Sequence, residues 1–155
     1  MEVWIRPYDK SYKEGCMTAF RSNVPDYFVP GEVMEFENFL DKISKQIIPL
    51  QTYYYVVGMD DRVIGCGGFG DKEDTGTITL AWGLIHHDFH KKGLGEKLLE
   101  YRIHQIRQIY PAIPVFLDTT QFTYTFFEKY RFSVVKITPD YYAGGMHRYD
   151  MVLKP

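Results

Sequence analysis

The chain reads as one α/β domain in which helices flank a single mixed sheet, in the order β-αα-βββ-α-β-α-ββ. Three observations predict this. Segments with strand-like and helical apolar spacing alternate from end to end. A β-rich run closes at Ile85 and passes almost at once into an amphipathic helix, through the turn His90-Lys91-Lys92-Gly93-Leu94-Gly95. The length, 155 residues, suits one domain able to bury roughly two thirds of the surface its unfolded form exposes, so 1–155 is read as one unit.

Val3-Trp4-Ile5-Arg6-Pro7 opens the chain as a strand, and Asp9 is the residue type that caps a helix, here expected to run to about Arg21. Pro25 and Pro30 break that helix within residues 23–31. Helical spacing returns over 32–48, with Val33, Phe36, Phe39, Leu40, Ile43 and Ile47 on one side. Strands over 53–59 and 62–69 flank Asp60-Asp61, a pair suited to a hairpin turn. A strand over 77–85 then feeds the glycine turn. The helix over 95–110 buries Leu98, Leu99, Ile103 and Ile106 and leaves Glu96, Lys97, Glu100 and Arg107 to water. Pro111 and Pro114 bracket the approach to the strand Val115-Phe116-Leu117-Asp118. A short helix over 122–130 and strands over 132–138 and 148–153 complete the order.

Lys and Arg number 18 against 20 Asp and Glu, a net charge of -2. That balance argues against general affinity for nucleic acid and leaves only a local basic patch at Lys91, Lys92 and Lys97. Cys16 and Cys66 have no metal-ligand spacing, so no metal is expected and both read as small core residues. With no secretory segment recognised, a reduced, cytoplasmic protein is expected. No apolar run is long enough to span a bilayer, so no membrane partner is expected.

The glycine turn suits a phosphate. The first amides of a helix have no intrahelical partner, and the helix dipole adds partial positive charge at the same end. Gly93 and Gly95 let a bulky anion approach without a Cβ in the way, and Lys91 and Lys92 add mobile charge. A nucleotide-binding P-loop is a poor alternative, because no Lys-Ser or Lys-Thr pair follows the glycines.

Residues 90–95 resemble the signature of the Gcn5-related N-acetyltransferase (GNAT) family, Gln/Arg-x-x-Gly-x-Gly/Ala followed directly by a helix. His90 stands at its first position. Ile85-His86-His87-Asp88-Phe89 fits the Val-x-Pro-x-Tyr approach, with His87 where proline is common. Downstream, Phe126-Phe127-Glu128-Lys129-Tyr130-Arg131-Phe132 is similar to (Leu/Phe)-Tyr-Glu-Lys-x-Gly-Phe, with Phe127 in the tyrosine column and Arg131 replacing glycine. The resemblance implies acetyl-coenzyme A as cosubstrate, its pyrophosphate on the amides of Lys91, Lys92, Gly93, Leu94, Gly95 and Glu96. It further implies that backbone groups of Gly83, Leu84 and Ile85 pair with the pantetheine arm. A strand glycine often marks a bulge or a close approach, and the family's bulge at this place turns an amide toward the thioester oxygen.

Direct transfer to an amine needs one proton removed from the nucleophile and benefits from one given to the departing thiolate. Phenylalanine at 127 has no proton to give. Tyr124, one helical turn earlier, or water takes that role in its place; Tyr130 is a weaker candidate. For the base, Asp118 ends the strand before the last helix, while Glu73, His86 and His87 flank the strand before the glycine turn. Acceptor residues are expected at the proline-broken connection and the helix after it: Tyr27, Phe28, Glu32 and Glu35, with Tyr53, Tyr54, Tyr55, Tyr141 and Tyr142 as further aromatic candidates. Acidic groups there suit a cationic amine, whether a small molecule or a peptide. The reading is an acetyl-coenzyme A-dependent N-acetyltransferase acting as a monomer or homodimer. The alternative is a non-catalytic acyl-coenzyme A binding or sensing module.

Overall fold

A computed structural model describes residues 2–45, 52–71 and 76–155. Strand β1 (Val3–Pro7) runs antiparallel to β2 (Thr52–Met59) and sets Trp4 opposite Gly58. Glycine is required at 58, because a Cβ there would stand 1.9 Å from Trp4 Cζ2. The indole therefore lies across β2, and its Nε1 donates to the Asp60 carbonyl at 2.7 Å. Asp9 does cap, accepting from the Ser11 amide at 3.0 Å, but it opens a single 3-10 turn, Lys10–Tyr12, before helix α1 (Lys13–Arg21) begins.

Helix α1 buries Cys16, Met17, Ala19 and Phe20, and α2 (Glu32–Ser44) buries Phe36 and Leu40. Phe20 of α1 stacks on Phe28 at 4.3 Å and on Phe36 at 4.6 Å, so one α1 ring holds both the broken connection and α2 by aromatic faces. Ile47, expected in the stripe of α2, lies outside the described residues. Strand β2 turns into β3 (Arg62–Asp71) through Asp60-Asp61, with Met59 paired to Arg62. Asp60 takes φ +52°, the left-handed conformation that aspartate tolerates in tight hairpins.

Strand β4 (Ile78–Ile85) lies antiparallel to β3, helix α3 (Leu94–Ile109) follows it, and β5 (Val115–Thr119) returns parallel to β4. Helix α4 (Tyr124–Glu128) is shorter than its sequence spacing suggested. Strands β6 (Ser133–Ala143) and β7 (Met146–Leu153) complete one seven-stranded sheet in the order β1-β2-β3-β4-β5-β7-β6. Their hairpin extends past Thr138, where the strand pattern ended in the sequence. The reason is position: β6 is an edge strand, and a proline such as Pro139 removes no necessary ladder bond there. Helices α1 and α2 cover one face, while Leu94, Leu98, Leu99 and Ile106 of α3 pack on the other. Arg107, expected in water, is half-buried and donates to the carbonyls of Ile113 at 2.8 Å and Lys154 at 3.0 Å, tying α3 to the end of the chain.

Arg131, standing where the resemblance expects glycine, adopts φ +71°. Its amide still closes on the Glu128 carbonyl at 3.1 Å, so the turn is kept and strained rather than rebuilt. Left-handed backbone costs a side-chain-bearing residue about 1–2 kcal/mol, partly offset by glycine's larger entropy loss on folding. Arg131→Gly is expected to stabilise the protein by about 1 kcal/mol and to raise its melting temperature by about 2–4 °C. An unchanged or lower melting temperature in calorimetry would refute that assignment of strain.

Candidate active site

The site begins where the sheet comes apart. Strands β4 and β5 pair only at Ile78↔Val115 and Thr79↔Phe116. Beyond those two positions they diverge around a cleft of about 850 Å³, with residues 80–85 on one wall and 117–120 on the other. On its far side β4 bulges. Cys66 pairs with Leu84 and Gly68 with Ala81, which leaves Trp82 and Gly83 opposite the single residue Gly67.

Trp82 takes φ +35°, and its carbonyl accepts from Tyr54 Oη at 2.7 Å. That bond turns the carbonyl toward the layer of α1 and α2. Because C=O and N–H of one trans peptide point in opposite directions, the amide of Gly83 is turned the other way, toward the α3 face. Gly83 sits in the cleft wall with Arg102 of α3 behind it: a Cβ at 83 would lie 2.6 Å from Arg102 Nη2. Arg102 is 4% exposed. The sequence reading passed over it, although the signal was available: position 102 is four residues from both Leu98 and Ile106, and a charged residue in an apolar register is unusual.

The mouth of the cleft is built by loop 86–93. His86 is buried, and its Nδ1 accepts from the Asp88 amide at 3.1 Å; burial holds its pKa below the usual imidazole value. His87 is exposed, and neither ring lines the cleft. His90 folds back on the strand end, with Nε2 at 2.8 Å from the Ile85 carbonyl. A carbonyl only accepts, so Nε2 carries the proton. Asn23 Nδ2 donates to the same oxygen at 2.9 Å. Lys91 at φ +62° and Gly93 at φ +78° then swing the backbone into α3. Gly93 supplies no side-chain cap, and the first intrahelical bond runs from the Lys97 amide to the Gly93 carbonyl. The amides of Leu94, Gly95 and Glu96 therefore precede the helical ladder. A Cβ at Gly93 would meet nothing within 4 Å, and one at Gly95 only Phe126 Cζ at 3.8 Å.

Of the residues expected to hold the cosubstrate, Gly83, Leu84, Ile85, Lys91, Gly93, Gly95 and Glu96 all line the cleft. Lys92 does not; its ammonium lies 5.7 Å from the centre of the Phe89 ring. The Leu94 side chain turns into the core.

At the other end, Tyr27 and Phe28 reach the cleft while Glu35 is exposed on α2 and outside it. Glu32, one turn earlier, takes that place. Its carboxylate accepts from the Val29 amide at 3.1 Å, and burial, with Glu35 and Asp118 adding to it, raises its pKa. Asp118 lines the opposite wall and accepts a short hydrogen bond from Tyr142 Oη, with Arg148 Nη2 at 3.9 Å. Burial, followed by the Asp118 bond, pushes the Tyr142 phenol well above its ordinary range. Tyr142 belongs to the part of β6 beyond the expected strand end, where periodicity assigns a side chain no definite direction.

Tyr124 is not brought to the cleft. Its ring stacks on Tyr149 at 4.4 Å, whereas Phe126 and Phe127 face the opening. Helix α4 is only five residues long and begins at Tyr124 itself, so the neighbourhood of 124 and 127 inferred from helical spacing does not carry both rings to one place. Glu73 lies outside the described residues. Among the described residues no group of three or more His, Cys, Asp and Glu side chains gathers as a metal site would require. No helix among them is long and apolar enough to cross a membrane.

The profile of the acetyltransferase (GNAT) domain matches residues 24–155. The chain belongs to this family. Among solved structures, a protein of Desulfovibrio desulfuricans assigned to the GNAT family is 21% identical, each chain covering 99% of the other, with a TM-score of 0.84. The ribosomal-protein-S18-alanine N-acetyltransferase of Escherichia coli is 15% identical over 99% of this chain and 94% of its own, with a TM-score of 0.79. An aminoglycoside 6′-N-acetyltransferase complexed with coenzyme A is 14% identical over 97% and 96%, with a TM-score of 0.74. At these identities the likeness establishes the fold. No match was found among curated protein sequences. The family membership makes the chain an acetyltransferase, and the cleft is the place to look for its chemistry.

The two donors on the Ile85 carbonyl hold the acetyltransferase's loop against its sheet. Either one alone still satisfies that oxygen. Removing both leaves a buried acceptor unpaired, a cost of about 1–3 kcal/mol. His90→Ala and Asn23→Ala are each expected to cost about 1 kcal/mol in denaturant unfolding, and the double variant more than their sum. Strict additivity would mean that the two bonds are independent of each other.

Proposed function

We propose that the cleft binds acetyl-coenzyme A and that the acetyl group passes directly to an amine carrying a second positive charge. The observation that carries this reading is the uncapped, glycine-framed start of α3 opening into the gap between β4 and β5. The residues present fit the cosubstrate. Amides over residues 91–96 offer convergent donors to a pyrophosphate, and the space that a Cβ would occupy at Gly93 and Gly95 is open. The β4 edge from Leu80 to Ile85 faces the cleft without a strand partner on that side, and its peptide groups suit the amides of a pantetheine arm. The Gly83 amide, turned by the bulge, suits the thioester oxygen.

The acceptor end supports a cationic amine. Glu32 and Asp118 bring two carboxylates to one end of the cleft, with Tyr27 and Phe28 beside Glu32. Asp118 is assigned the proton of the attacking ammonium, because Tyr142 holds its second oxygen and fixes its direction. Tyr124 is set aside for the leaving thiolate, since its ring is engaged with Tyr149; with Phe127 at the opening, solvent supplies that proton. An aminoglycoside or a peptide amine, the acceptors named for two of the structural relatives, both fall within the proposed class.

A panel of mono-, di- and polyamines, basic peptides and aminoglycosides incubated with acetyl-coenzyme A, with thiol release measured for each, tests the reading. Turnover is expected with acceptors bearing two or more positive charges. Binding without turnover on any amine would leave an acyl-coenzyme A sensor.

Two sets of variants sharpen the test. Gly95→Val places a side chain in the proposed phosphate position without the backbone strain that any substitution at Gly93 brings. It is expected to weaken acetyl-coenzyme A binding at least about tenfold in calorimetry, whereas Lys92→Ala changes affinity little and lowers its salt sensitivity. Asp118→Asn is expected to lower kcat by about a hundredfold or more, with cosubstrate affinity intact. A loss of less than about threefold would remove Asp118 from the role of base.

A further inference from the structure

Arg102 is a buried cation with no carboxylate paired to it among the described residues. Its Nη1 donates to the Gly68 carbonyl at 3.2 Å, and its Nε, fully enclosed, has no hydrogen-bond partner among the described residues. The titratable side chain that bears on it most is Tyr54. The Tyr54 phenol is held neutral by burial, which drives its pKa far up. Burial also pulls the guanidinium pKa down to about 10, which leaves it charged at neutral pH. An unpaired buried charge is among the least favourable features a core can hold, so its retention asks for a ligand.

Two glycines make room for this charge and aim it. A Cβ at Gly83 would lie 2.6 Å from Nη2 and 2.9 Å from Nη1, and one at Gly67 would lie 3.4 Å from Cζ. The guanidinium is therefore pressed against the bulge at the point where β4 turns the Gly83 amide to the α3 face, and it lines the cleft. Two donors of different kinds, a main-chain amide and a fixed cation, converge on one place in the wall.

We propose that Arg102 is a catalytic residue of the acyl site, donating from its guanidinium to the thioester carbonyl oxygen and stabilising the negative charge that develops there. The proposal rests on the acetyl-transfer reading of the cleft. As the acceptor nitrogen adds its lone pair to the carbonyl carbon, the π pair moves onto the oxygen facing Arg102 and the Gly83 amide. When that pair returns, the carbon–sulfur bond breaks, the thiolate leaves and takes a proton from solvent, and the nitrogen, whose first proton went to Asp118 before attack, releases its second to solvent. Only the oxygen changes charge beside Arg102, so the guanidinium acts more strongly in the transition state than in the ground state.

The test uses acetyl-coenzyme A labelled with carbon-13 at the thioester carbonyl, whose stretching frequency falls as the oxygen is polarised. Isotope-edited infrared spectra of the bound molecule are expected to show a downshift with the parent protein. The downshift should be lost with Arg102→Met and largely kept with Arg102→Lys. With an accepted amine, Arg102→Met should lower kcat about a hundredfold or more while the dissociation constant of acetyl-coenzyme A changes by less than about threefold. A purely structural arginine makes the opposite forecast for the free protein, a lower melting temperature in Arg102→Met; the catalytic role predicts one at or above the parent's, since an unpaired charge has been removed.

If Arg102→Met does not fold, Arg102→Leu decides, because it removes the guanidinium while leaving the Gly83 amide in place and should still weaken the downshift. A carbonyl frequency that is the same in parent and variants overturns the proposal. So does a preference of more than about tenfold for succinyl- over butyryl-coenzyme A, which would assign the cation to a carboxylate on the acyl chain. Failure of the parent protein to bind acetyl-coenzyme A would instead count against the acetyl-transfer reading itself.

Discussion

The structure depends on an interrupted ladder. Strands β4 and β5 pair at two positions and then part, which leaves main-chain donors and acceptors along a cleft inside the sheet. Backbone groups in such a place demand partners, and the surrounding elements prevent the gap from closing. Helix α3, sixteen residues long, bridges the gap on one face and keeps the strands' far ends apart. Strand β5 is held on its other side by five consecutive pairs with β7, from Val115↔Leu153 to Thr119↔Tyr149. Strand β4 is held by β3. Each edge of the cleft thus belongs to a well-paired sheet half, and the opening between them costs two short runs of ladder rather than the fold.

The same constraint explains where side chains are small and where they are large. Gly67 and Gly83 sit back to back against Arg102 and Leu98, so the wall is thin at the bulge and the guanidinium lies directly behind it. On the opposite face Trp82 fills the volume, 5.7 Å from Phe20 and 5.5 Å from Phe36, and Tyr54 anchors its carbonyl. The bulge is therefore not slack. It is held from one side by a hydrogen bond and an aromatic cluster and from the other by a close-packed cation, which is how a tryptophan comes to hold a positive φ.

Local chemistry was legible in the sequence, and long-range placement was not. The glycine turn, the Asp60-Asp61 hairpin and the order of elements follow from backbone preferences and periodicity, properties that travel with the residues. Family resemblance added the expectation of a coenzyme A pyrophosphate at the turn. What failed depended on neighbours distant in sequence. Glu35 and Glu32 share one helix and one residue type, and only the cleft, with Asp118 on its opposite wall, selects Glu32. Tyr124 was placed by assuming regular helical spacing through a segment that forms a single short helix, where stacking on Tyr149 decides the ring's direction. Arg102 was missed because a pattern search for apolar positions discards charged ones.

The charges along the cleft have a direction. Carboxylates of Glu32 and Asp118 stand at the acceptor end, the guanidinium of Arg102 lies under the bulge, and the amides of α3 form the mouth. On the proposed reading a cationic amine is drawn to the carboxylates, and an anionic pyrophosphate to the helix start, so the two substrates are sorted without competing for one patch. The sorting also separates the proton problem from the charge problem. In the proposed mechanism the proton leaves toward Asp118 on β5, whereas the developing oxygen charge is met at Gly83 of β4 and Arg102 of α3. A phenylalanine at 127 is tolerable in such an arrangement, because the only group still needing a proton is the thiolate, which departs through the open cleft where water can serve it.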